Sequence, residues 1–522
     1  MTSRGHSAGC FPVLCLSLFL LSPARPSASG VSSELHQPTD AEALGTKIRQ
    51  ACTQCHEWTP PEILPKKEWP GLIQRKFKLA NITLLQSHNK PIWDVDALQA
   101  ASYFRSKAPD RLDTPRWTAK RGGPELKFDR RLLPGRKVRG LQPGAANVRL
   151  LELFPDLDGP ELVVSDMISG WVSWADPDDG QMDLRPIAKL TNPCHAEVVD
   201  LDRDGRTDLL IADLGWPKPT DQRTGSVAWL RRTGKREFEV HRLATGIGRV
   251  ADVRAADFDG DRDLDVIVAE FGWRTVGGIH YLENGSGPEK ASKLGAGDFR
   301  SVELDDRAGA IHIPIVDLDR DGRTDFIALL SQEHEAVVAF LNRGPGTFEK
   351  KTLFVAPHPH WGSSGLEMVD LDQDGDLDVL FTHGDTLDAM AEMRPYHGLS
   401  WLENKGDLSF VHHPVDVYYG ALRAEAGDLD GDGDLDLVAA SYFPNLTEEV
   451  RRRYNLSGVV WYEQTRPGSF QPRSLADIPC DYITLELGDI DGDGGTDIIL
   501  GNFGQAREGV DWELVQIWRQ RP

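Results

Sequence analysis

The fold of this chain is decided by the stretch Asp428-Leu429-Asp430-Gly431-Asp432-Gly433-Asp434-Leu435-Asp436, which leads into a short apolar run, residues 437–440. Calcium needs six to eight oxygen ligands. Carboxylates at positions 1, 3 and 5, a sharp turn at the glycine of position 6, a carbonyl at position 7 and a later acid supply them. Here the later acid is at position 9, where the next strand is expected to begin. We therefore expect the loop to bind calcium and to join two strands.

The same acidic loop occurs six times along the 522 residues, and we number its copies by the blades of the β-propeller that their spacing predicts below. The aspartates at positions 1, 3, 5 and 9 are Asp200, Asp202, Asp204 and Asp208 (blade 2); Asp257, Asp259, Asp261 and Asp265 (blade 3); Asp317, Asp319, Asp321 and Asp325 (blade 4); Asp370, Asp372, Asp374 and Asp378 (blade 5); Asp428, Asp430, Asp432 and Asp436 (blade 6); and Asp489, Asp491, Asp493 and Asp497 (blade 7). Turns rich in aspartate but without ions are the alternative. Because 24 carboxylates in unfilled loops would repel one another, we expect five or six calcium ions.

Two copies of the loop depart from the pattern. In blade 3, Arg262 occupies the glycine position, which predicts a weaker or strained site. The copy in blade 1 is shortened to Asp156, Asp158 and Glu161, and we expect it to bind nothing.

The spacing of the loops predicts the architecture. The seven copies lie 44 to 61 residues apart, which is enough chain for four short strands each, the third with an aromatic residue and the fourth shorter and more polar, as at Phe238 to His241. We therefore predict a mainly β protein, a seven-bladed β-propeller of four-stranded blades over residues 126–522. The last repeat lacks its fourth strand. We expect Leu126 to Leu133 to supply it, which would close the ring and remove an open sheet edge.

A family resemblance follows from these residues. The loops, the Leu/Thr-Asp-hydrophobic strands after them, and the pairs Phe271-Gly272 and Phe503-Gly504 resemble the FG-GAP/VCBS repeat family, which includes the heads of integrin α-subunits. The resemblance implies a propeller that binds calcium. It does not specify a function, because such propellers serve adhesion, scaffolding and catalysis alike.

The N-terminus predicts export. Arg4 precedes an apolar segment, residues 11–21, that is too short to span a bilayer comfortably, and small residues follow it. We expect residues 1–29 to be a signal peptide and the mature protein to be periplasmic or secreted, without a transmembrane segment. The chain carries 81 acidic against 58 basic residues, which disfavours nucleic acid as a partner.

A short motif after the signal predicts a haem. The sequence Cys52-Thr53-Gln54-Cys55-His56 has the C-x-x-C-H pattern of covalent c-type haem attachment, in which two thiols form thioethers and the histidine binds iron. A capping box at Thr39 and Glu42 predicts a helix that ends at the motif. A Pro-rich loop and a second helix-like stretch, residues 95–106, follow.

Residues 39–110 therefore resemble a small class I cytochrome c domain, joined to the propeller by a linker over residues 111–125. Such a domain usually has a distal methionine, but no methionine lies between Met1 and Met167. His88 is the substitute that we expect, while an open or lysine-ligated iron is also compatible with the sequence. The alternative for the motif is a Cys52–Cys55 disulfide or a lost haem site.

A second candidate site is predicted at the end of the propeller opposite the acidic loops. The segments leading into the blades contain Cys194, His195, Arg249, His312, His358, His360, Trp361, Tyr418, Tyr419, Arg423 and Tyr482. The loops between second and third strands contain Trp216, Trp273, Arg274, Glu333, His334, Glu335, His383, Asp385 and Tyr442. Their convergence would form a funnel that binds a ligand or metal. The catalytic candidates are His195, His312, Glu333, His334, His360 and Asp385, although each histidine taken singly could instead be an ordinary surface or core residue.

Three functions are compatible with these features. The first is an extracytoplasmic electron-transfer protein in which a c-type haem serves a protein, redox or carbohydrate partner bound on the propeller face. The second is an oxidoreductase or other enzyme with its site in the funnel. The third is an adhesion or scaffold module without catalysis. The sequence also leaves open whether Cys194 and Cys480 form a disulfide.

Overall fold

The computed structural model describes residues 40–53, 57–86, 95–119, 125–136, 142, 144–286, 294–387, 393–444, 446–504 and 513–521. The chain divides into a short unit, residues 1–46, and a large unit, residues 47–522. The described part of the short unit, residues 40–46, is helical. All strands among the described residues belong to the large unit.

The described residues contain four α-helices, namely α1 (Asp40–Cys52), α2 (Trp69–Gln86), α3 (Ala97–Lys107) and α4 (Glu448–Tyr454). α3 starts at a capping box, because the Asp96 side chain accepts the Gln99 N–H and the Gln99 side chain accepts the Asp96 N–H. Thr39, predicted to cap α1, lies outside the described residues. α2 lies where the sequence predicts a Pro-rich loop. Pro70 is in its first turn, where a missing N–H costs no helical hydrogen bond.

Seven antiparallel sheets form the seven blades. The first strands are β2 (Ala145–Leu151), β6 (Pro193–Val199), β10 (Val250–Ala256), β14 (Ala310–His312) with β15 (Ile315–Val316), β19 (Ser363–Val369), β23 (Ala421–Gly427) and β27 (Tyr482–Gly488). The second strands are β3 (Glu161–Asp166), β7 (Asp208–Asp213), β11 (Asp265–Glu270), β16 (Asp325–Leu330), β20 (Asp378–His383), β24 (Asp436–Ser441) and β28 (Asp497–Asn502).

The outer half of each blade is built in the same way. The third strands are β4 (Trp171–Ala175), β8 (Gly225–Arg232), β12 (Gly278–Asn284), β17 (Ala336–Asn342), β21 (Gly398–Asn404), β25 (Val459–Arg466) and β29 (Val515–Gln520). The fourth strands are β5 (Arg185–Lys189), β9 (Phe238–Ile247), β13 (Phe299–Asp305), β18 (Phe348–Val355), β22 (Phe410–Val417), β26 (Ser469–Ser474) and β1 (Phe128–Leu133). The prediction of a mainly β, seven-bladed propeller with four-stranded blades is therefore confirmed.

Burial explains why the second strands are the most apolar. Every residue of β7, β11, β16 and their equivalents is buried, because neighbouring blades cover both faces. The fourth strands are partly exposed, and β9 is ten residues long, so the prediction that the fourth strand of blade 2 ends at His241 is wrong. The first strand of blade 4 is divided because Pro314 has no N–H for the ladder, although its carbonyl accepts the Ile327 N–H at 3.1 Å.

The ring closes through the strand from the N-terminal side. β1 pairs antiparallel with β29, from Phe128 opposite Gln520 to Leu133 opposite Val515, and supplies the fourth strand of blade 7. This confirms the predicted pairing. The acidic loops join first and second strands, so they lie at one end of the ring, here called the loop end. The loops between second and third strands and between blades lie at the other, here called the funnel end.

Candidate functional site

The acidic loops gather carboxylates closely. Three aspartates in each of these groups have ligand oxygens within 4.8 Å of one another: Asp200, Asp202 and Asp208; Asp257, Asp259 and Asp261; Asp317, Asp319 and Asp325; Asp370, Asp372 and Asp374; and Asp428, Asp430 and Asp432. The position-1 carboxylate shapes the loop. In blade 2, Asp200 accepts the N–H groups of Asp204 and Gly205, each at 3.0 Å.

The position-9 aspartate, at the start of the second strand, ties the acidic loop to the third strand. In blade 6 the Asp436 carboxylate accepts the N–H of Leu429 in the loop at 3.2 Å and the N–H of Gln464 on the third strand at 2.8 Å. Asp265, Asp325, Asp378 and Asp497 accept equivalent pairs of N–H groups. Burial raises the pKa of Asp436 to about 7. The sequence analysis assigned this acid to the ion, and in the structure backbone N–H groups also hold it.

The remaining carboxylates provide a test of whether a cation fits. Asp319, Asp430 and Asp491, all at position 3, each have a buried side-chain oxygen without a hydrogen-bond partner. A buried anionic oxygen without a partner is costly, and a hard cation that takes oxygen ligands removes the cost. The residues therefore fit calcium.

The two departing copies differ structurally as well. Arg262 has φ 76°, in the left-handed region where the equivalent Gly205 and Gly433 have φ 81° and 94°. Its side chain makes this backbone conformation strained. A weaker calcium site in blade 3 stays a prediction. In blade 1, Asp156 forms ion pairs with Arg236 at 2.7 Å and Lys235 at 2.8 Å. These two cations neutralise the Asp156 carboxylate.

The funnel end contains a large cavity of about 1630 Å³. The six candidates His195, His312, Glu333, His334, His360 and Asp385 all line it. So do residues of the N-terminal helical segment, including Cys52, Leu64, Trp69, Leu72 and Phe104. The helical segment and the propeller thus enclose one space. An ion pair between Lys76 of α2 and Glu333 lies at its edge.

Several aromatic residues predicted to converge on the funnel do not line this cavity. They are Trp216, His358, Trp361, Tyr418, Tyr419, His383, Tyr442 and Tyr482. Tyr418 is buried between strands and donates its hydroxyl to the Ser457 carbonyl at 2.7 Å. Trp361 stacks on His383 with ring centroids 4.5 Å apart. Apart from Trp216, which is 49% exposed, these rings fill spaces within and between blades, so their role as funnel lining is corrected to packing.

The first strands contribute charged residues that the sequence analysis did not select. Glu367, Glu425 and Glu486 line the cavity, each three residues before the first aspartate of its loop. Each accepts an N–H from the next blade: that of Ala426 at 2.9 Å, of Leu487 at 2.9 Å and of Leu150 at 3.2 Å, respectively. Burial and the neighbouring Glu425 raise the pKa of Glu367. Their recurrence at one position of the repeat was the signal that could have identified them.

The N-terminal segment is organised around two aromatic residues. Trp69 is buried, donates its indole N–H to the Pro61 carbonyl at 2.9 Å and stacks on Phe104 with ring centroids 4.1 Å apart. Cys52, the last residue of α1, is half-buried. The other predicted haem residues, Cys55, His56 and His88, lie outside the described residues.

The segment predicted as a linker is anchored to blades 5 and 6. Trp117 is buried, donates its indole N–H to Asp416 at 3.1 Å and its backbone N–H to the Tyr454 carbonyl at 3.1 Å. Tyr419 donates its hydroxyl to the Pro115 carbonyl at 2.8 Å.

The Cys194 thiol lies 3.2 Å from the Val250 carbonyl oxygen. It is not in a disulfide, so Cys194 and Cys480 are not paired in the structure.

Comparison with known proteins supports the repeat. The sequence profile of the FG-GAP-like repeat matches residues 200–268 and 295–381. The chain therefore contains FG-GAP-like repeats within a seven-bladed β-propeller. No curated protein matches it.

Solved structures with similarity to the chain include a virginiamycin B lyase from Staphylococcus aureus, at 12% identity and a TM-score of 0.46 over 76% of this chain and 99% of that one. They also include BBS1N in complex with ARL6DN, at 11% identity and a TM-score of 0.41 over 73% and 93%. Within the described residues no helix is long and apolar enough to cross a membrane.

Proposed function

We propose that this chain is an extracytoplasmic, calcium-stabilised propeller that carries a c-type haem on its N-terminal helices and exchanges electrons with a partner or substrate in the funnel. The observation that carries the proposal is the shared cavity. Cys52 of the C-x-x-C-H motif lines the same space as His195, His312 and Asp385 of the funnel. A molecule bound among the funnel residues would therefore lie close to a group attached at Cys52.

The surroundings of Cys52 fit a haem. Leu64, Trp69, Leu72 and Phe104 form an apolar wall of the cavity on the side of the helices. Such a wall suits a porphyrin face and excludes water from it. When bound, the haem would supply a one-electron couple. The residues of this chain would hold it, keep it dry and position the partner.

Calcium has a separate role in the proposal. The ions would occupy the loop end and stiffen the blades, with Asp319, Asp430 and Asp491 using oxygens that have no other partner. They lie at the opposite end from the funnel and take no part in electron transfer. Export after removal of residues 1–29 suits both groups, because c-type haem is attached outside the cytoplasm and calcium is abundant there.

A visible absorption spectrum of the purified full chain tests the haem. We expect a Soret band and, in alkaline pyridine, the spectrum of a haem bound through two thioethers. The double variant Cys52→Ala, Cys55→Ala should lose the band. The matched control Cys194→Ala, which removes a thiol that also lines the cavity but lies outside the motif, should keep it. A wild-type chain expressed with haem-attachment machinery but without a Soret band would exclude the proposal.

A further inference from the structure

Three adjacent blades present a histidine, an aspartate and a histidine at the same position of their first strands. His195 lies opposite Ala212, Asp252 opposite Ala269, and His312 opposite Leu329. Each of these partner residues is the fifth residue of its second strand, so the three positions are equivalent. Neighbouring first strands surround the axis of the ring. The equivalence therefore brings the three side chains together at one level of the channel.

The distances confirm that the three side chains form one cluster. His195 Nε2 lies 3.2 Å from Asp252 Oδ1, and His312 Nδ1 lies 3.9 Å from Asp252 Oδ2. Glu197 adds a second carboxylate, with Oε2 at 3.6 Å from His195 Nε2. In a metal site with bonds of about 2.1 Å, neighbouring ligand atoms are about 3.0 to 3.4 Å apart. The His195–Asp252 distance of 3.2 Å falls within that range, while the distances of 3.6 and 3.9 Å lie just above it.

His195 is the strongest indication of a missing ligand. The residue is only 6% exposed, and its Nε2 atom has no hydrogen-bond partner although two carboxylate oxygens are near it. A ring N–H would be expected to donate to one of those oxygens. With the ring proton on Nδ1, the Nε2 lone pair would face these carboxylates, an arrangement that suits a cation between them.

The tautomer of His312 leads to the same conclusion. Its Nε2 atom lies 3.1 Å from the Ser364 carbonyl oxygen, which can only accept, so Nε2 carries the proton. In the neutral ring this leaves Nδ1 with a lone pair, and Nδ1 is the atom that faces Asp252. Histidine ligands of metals commonly donate their other ring N–H to a backbone carbonyl in this way.

We propose that His195 Nε2, His312 Nδ1 and the Asp252 carboxylate, with Glu197 beside them, bind one divalent first-row transition metal in the channel. Two imidazoles with one or two carboxylates suit zinc, iron or manganese better than calcium, which prefers oxygen alone. The site is distinct from the acidic loops. It lines the funnel cavity through His195 and His312, so a metal there would be accessible to a ligand in the funnel.

The surroundings hold the carboxylates in place. The Asp252 side chain accepts the N–H groups of Val253 at 2.8 Å and Ile313 at 2.9 Å. Arg254 contacts both Asp252, at 3.2 Å, and Glu197, at 2.8 Å. Such partners orient ligands around a metal. The competing interpretation is that Arg254 alone neutralises the cluster and that no metal binds.

Zinc binding to the full chain in millimolar calcium distinguishes the two. Calcium keeps the acidic loops occupied, and calorimetric titration with Zn²⁺ together with elemental analysis gives affinity and stoichiometry. We expect one Zn²⁺ per chain, with binding at least about 100-fold weaker in His195→Gln and in His312→Gln, since each removes a ligand. The control His413→Gln changes a histidine that pairs with Glu403 at 2.8 Å on a fourth strand, and it should bind zinc like the wild type.

Melting temperatures in calcium show whether the variants fold. If both histidine variants melt well below the control, Glu197→Gln replaces them, and we expect it to weaken binding about 10-fold. Absence of a stoichiometric site, or a site unchanged by all three substitutions, would overturn the proposal. The haem spectrum of the same samples is independent of this result, so either proposal can fail without the other.

Discussion

The loop end and the funnel end of this propeller are built from the same repeats but differ in how far the repeats agree. At the loop end, six blades present nearly the same aspartates. At the funnel end, the equivalent positions of blades 2, 3 and 4 hold His195, Asp252 and His312, while blade 6 holds Arg423. A feature repeated in every blade serves the ring as a whole. A feature that differs from blade to blade defines one place on it, so the loop end indicates stability and the funnel end indicates function.

Removal of calcium, which acts through the loop end, should have the largest effect on stability. An ion present at 100 times its Kd stabilises the folded state by about 2.7 kcal/mol, so five or six ions contribute more than about 10 kcal/mol. We expect a chelator to lower the melting temperature by more than about 10 °C. Calorimetry with and without chelator measures this.

Magnesium supplies the control, since its strict octahedral geometry fits these loops poorly and it should restore little of the loss. A melting temperature that does not respond to the chelator would contradict calcium binding, and with it the structural role of the loop end.

The stability of both ends depends on closure of the ring. Substitution of a core residue at the closure tests this dependence. Trp518 on β29 is fully buried, next to β1. Trp518→Ala should lower the free energy of unfolding by about 3 to 5 kcal/mol, because it leaves a large cavity at the closure. Trp216 at the funnel end is 49% exposed, so Trp216→Ala should change it by less than about 1 kcal/mol. Denaturant unfolding compares the two, and equal losses would show that closure is not where stability is concentrated.

The funnel end should also contain groups that reduce stability. Glu335 is buried, and its carboxylate accepts the Ser363 N–H at 2.8 Å. Burial raises the pKa of Glu335 to about 8. Between its unfolded value near 4.5 and pH 8, the folded chain keeps a proton that the unfolded chain has lost, so stability falls as pH rises through this range.

Glu335→Gln removes this titration. We expect the variant to lose less stability than the wild type between pH 5 and pH 8, by of order 2 kcal/mol, in calcium at both pH values. Denaturant unfolding of both chains gives the difference. If the variant is also more stable than the wild type at pH 8, the buried Glu335 lowers the stability of the folded chain. An acid kept at the funnel end despite this loss of stability indicates function, which sharpens the contrast with the loop end. If the free energies of unfolding of the two chains changed equally with pH, the assignment of a raised pKa to Glu335 would be refuted.

The features that could be predicted from the sequence are those that depend on the repeats, as at the loop end. The acidic loops and the pairing of residues 128–133 with the C-terminal strand were predictable because each depends on a local pattern repeated in register. The meeting of Asp252 with His195 and His312 was not, because which charged residues meet at the axis depends on the closed ring. Tyr418 was assigned to the funnel for its place in a loop, yet it packs inside, where loop position alone does not decide burial.

The smallest predicted effect concerns the acidic loop of blade 3, in which Arg262 replaces the glycine of position 6. Arg262 has φ 76° where other loops have glycine, and a residue with a side chain in this conformation costs about 1 kcal/mol. Arg262→Gly should therefore stabilise the calcium-bound chain by about 1 kcal/mol and tighten the weakest site in a calcium titration. Its backbone N–H still donates to Asp257, at 3.1 Å, so the loop keeps its shape.

The reciprocal change Gly433→Arg in blade 6, where φ is 94°, should cost a similar amount. Opposite signs for the two substitutions would show that glycine at position 6 is a requirement of the loop itself. If both substitutions destabilised the chain, Arg262 would have a role of its own in blade 3. The acidic loops would then differ in their structural roles more than their sequences do. The contrast between the loop end and the funnel end would rest on fewer blades.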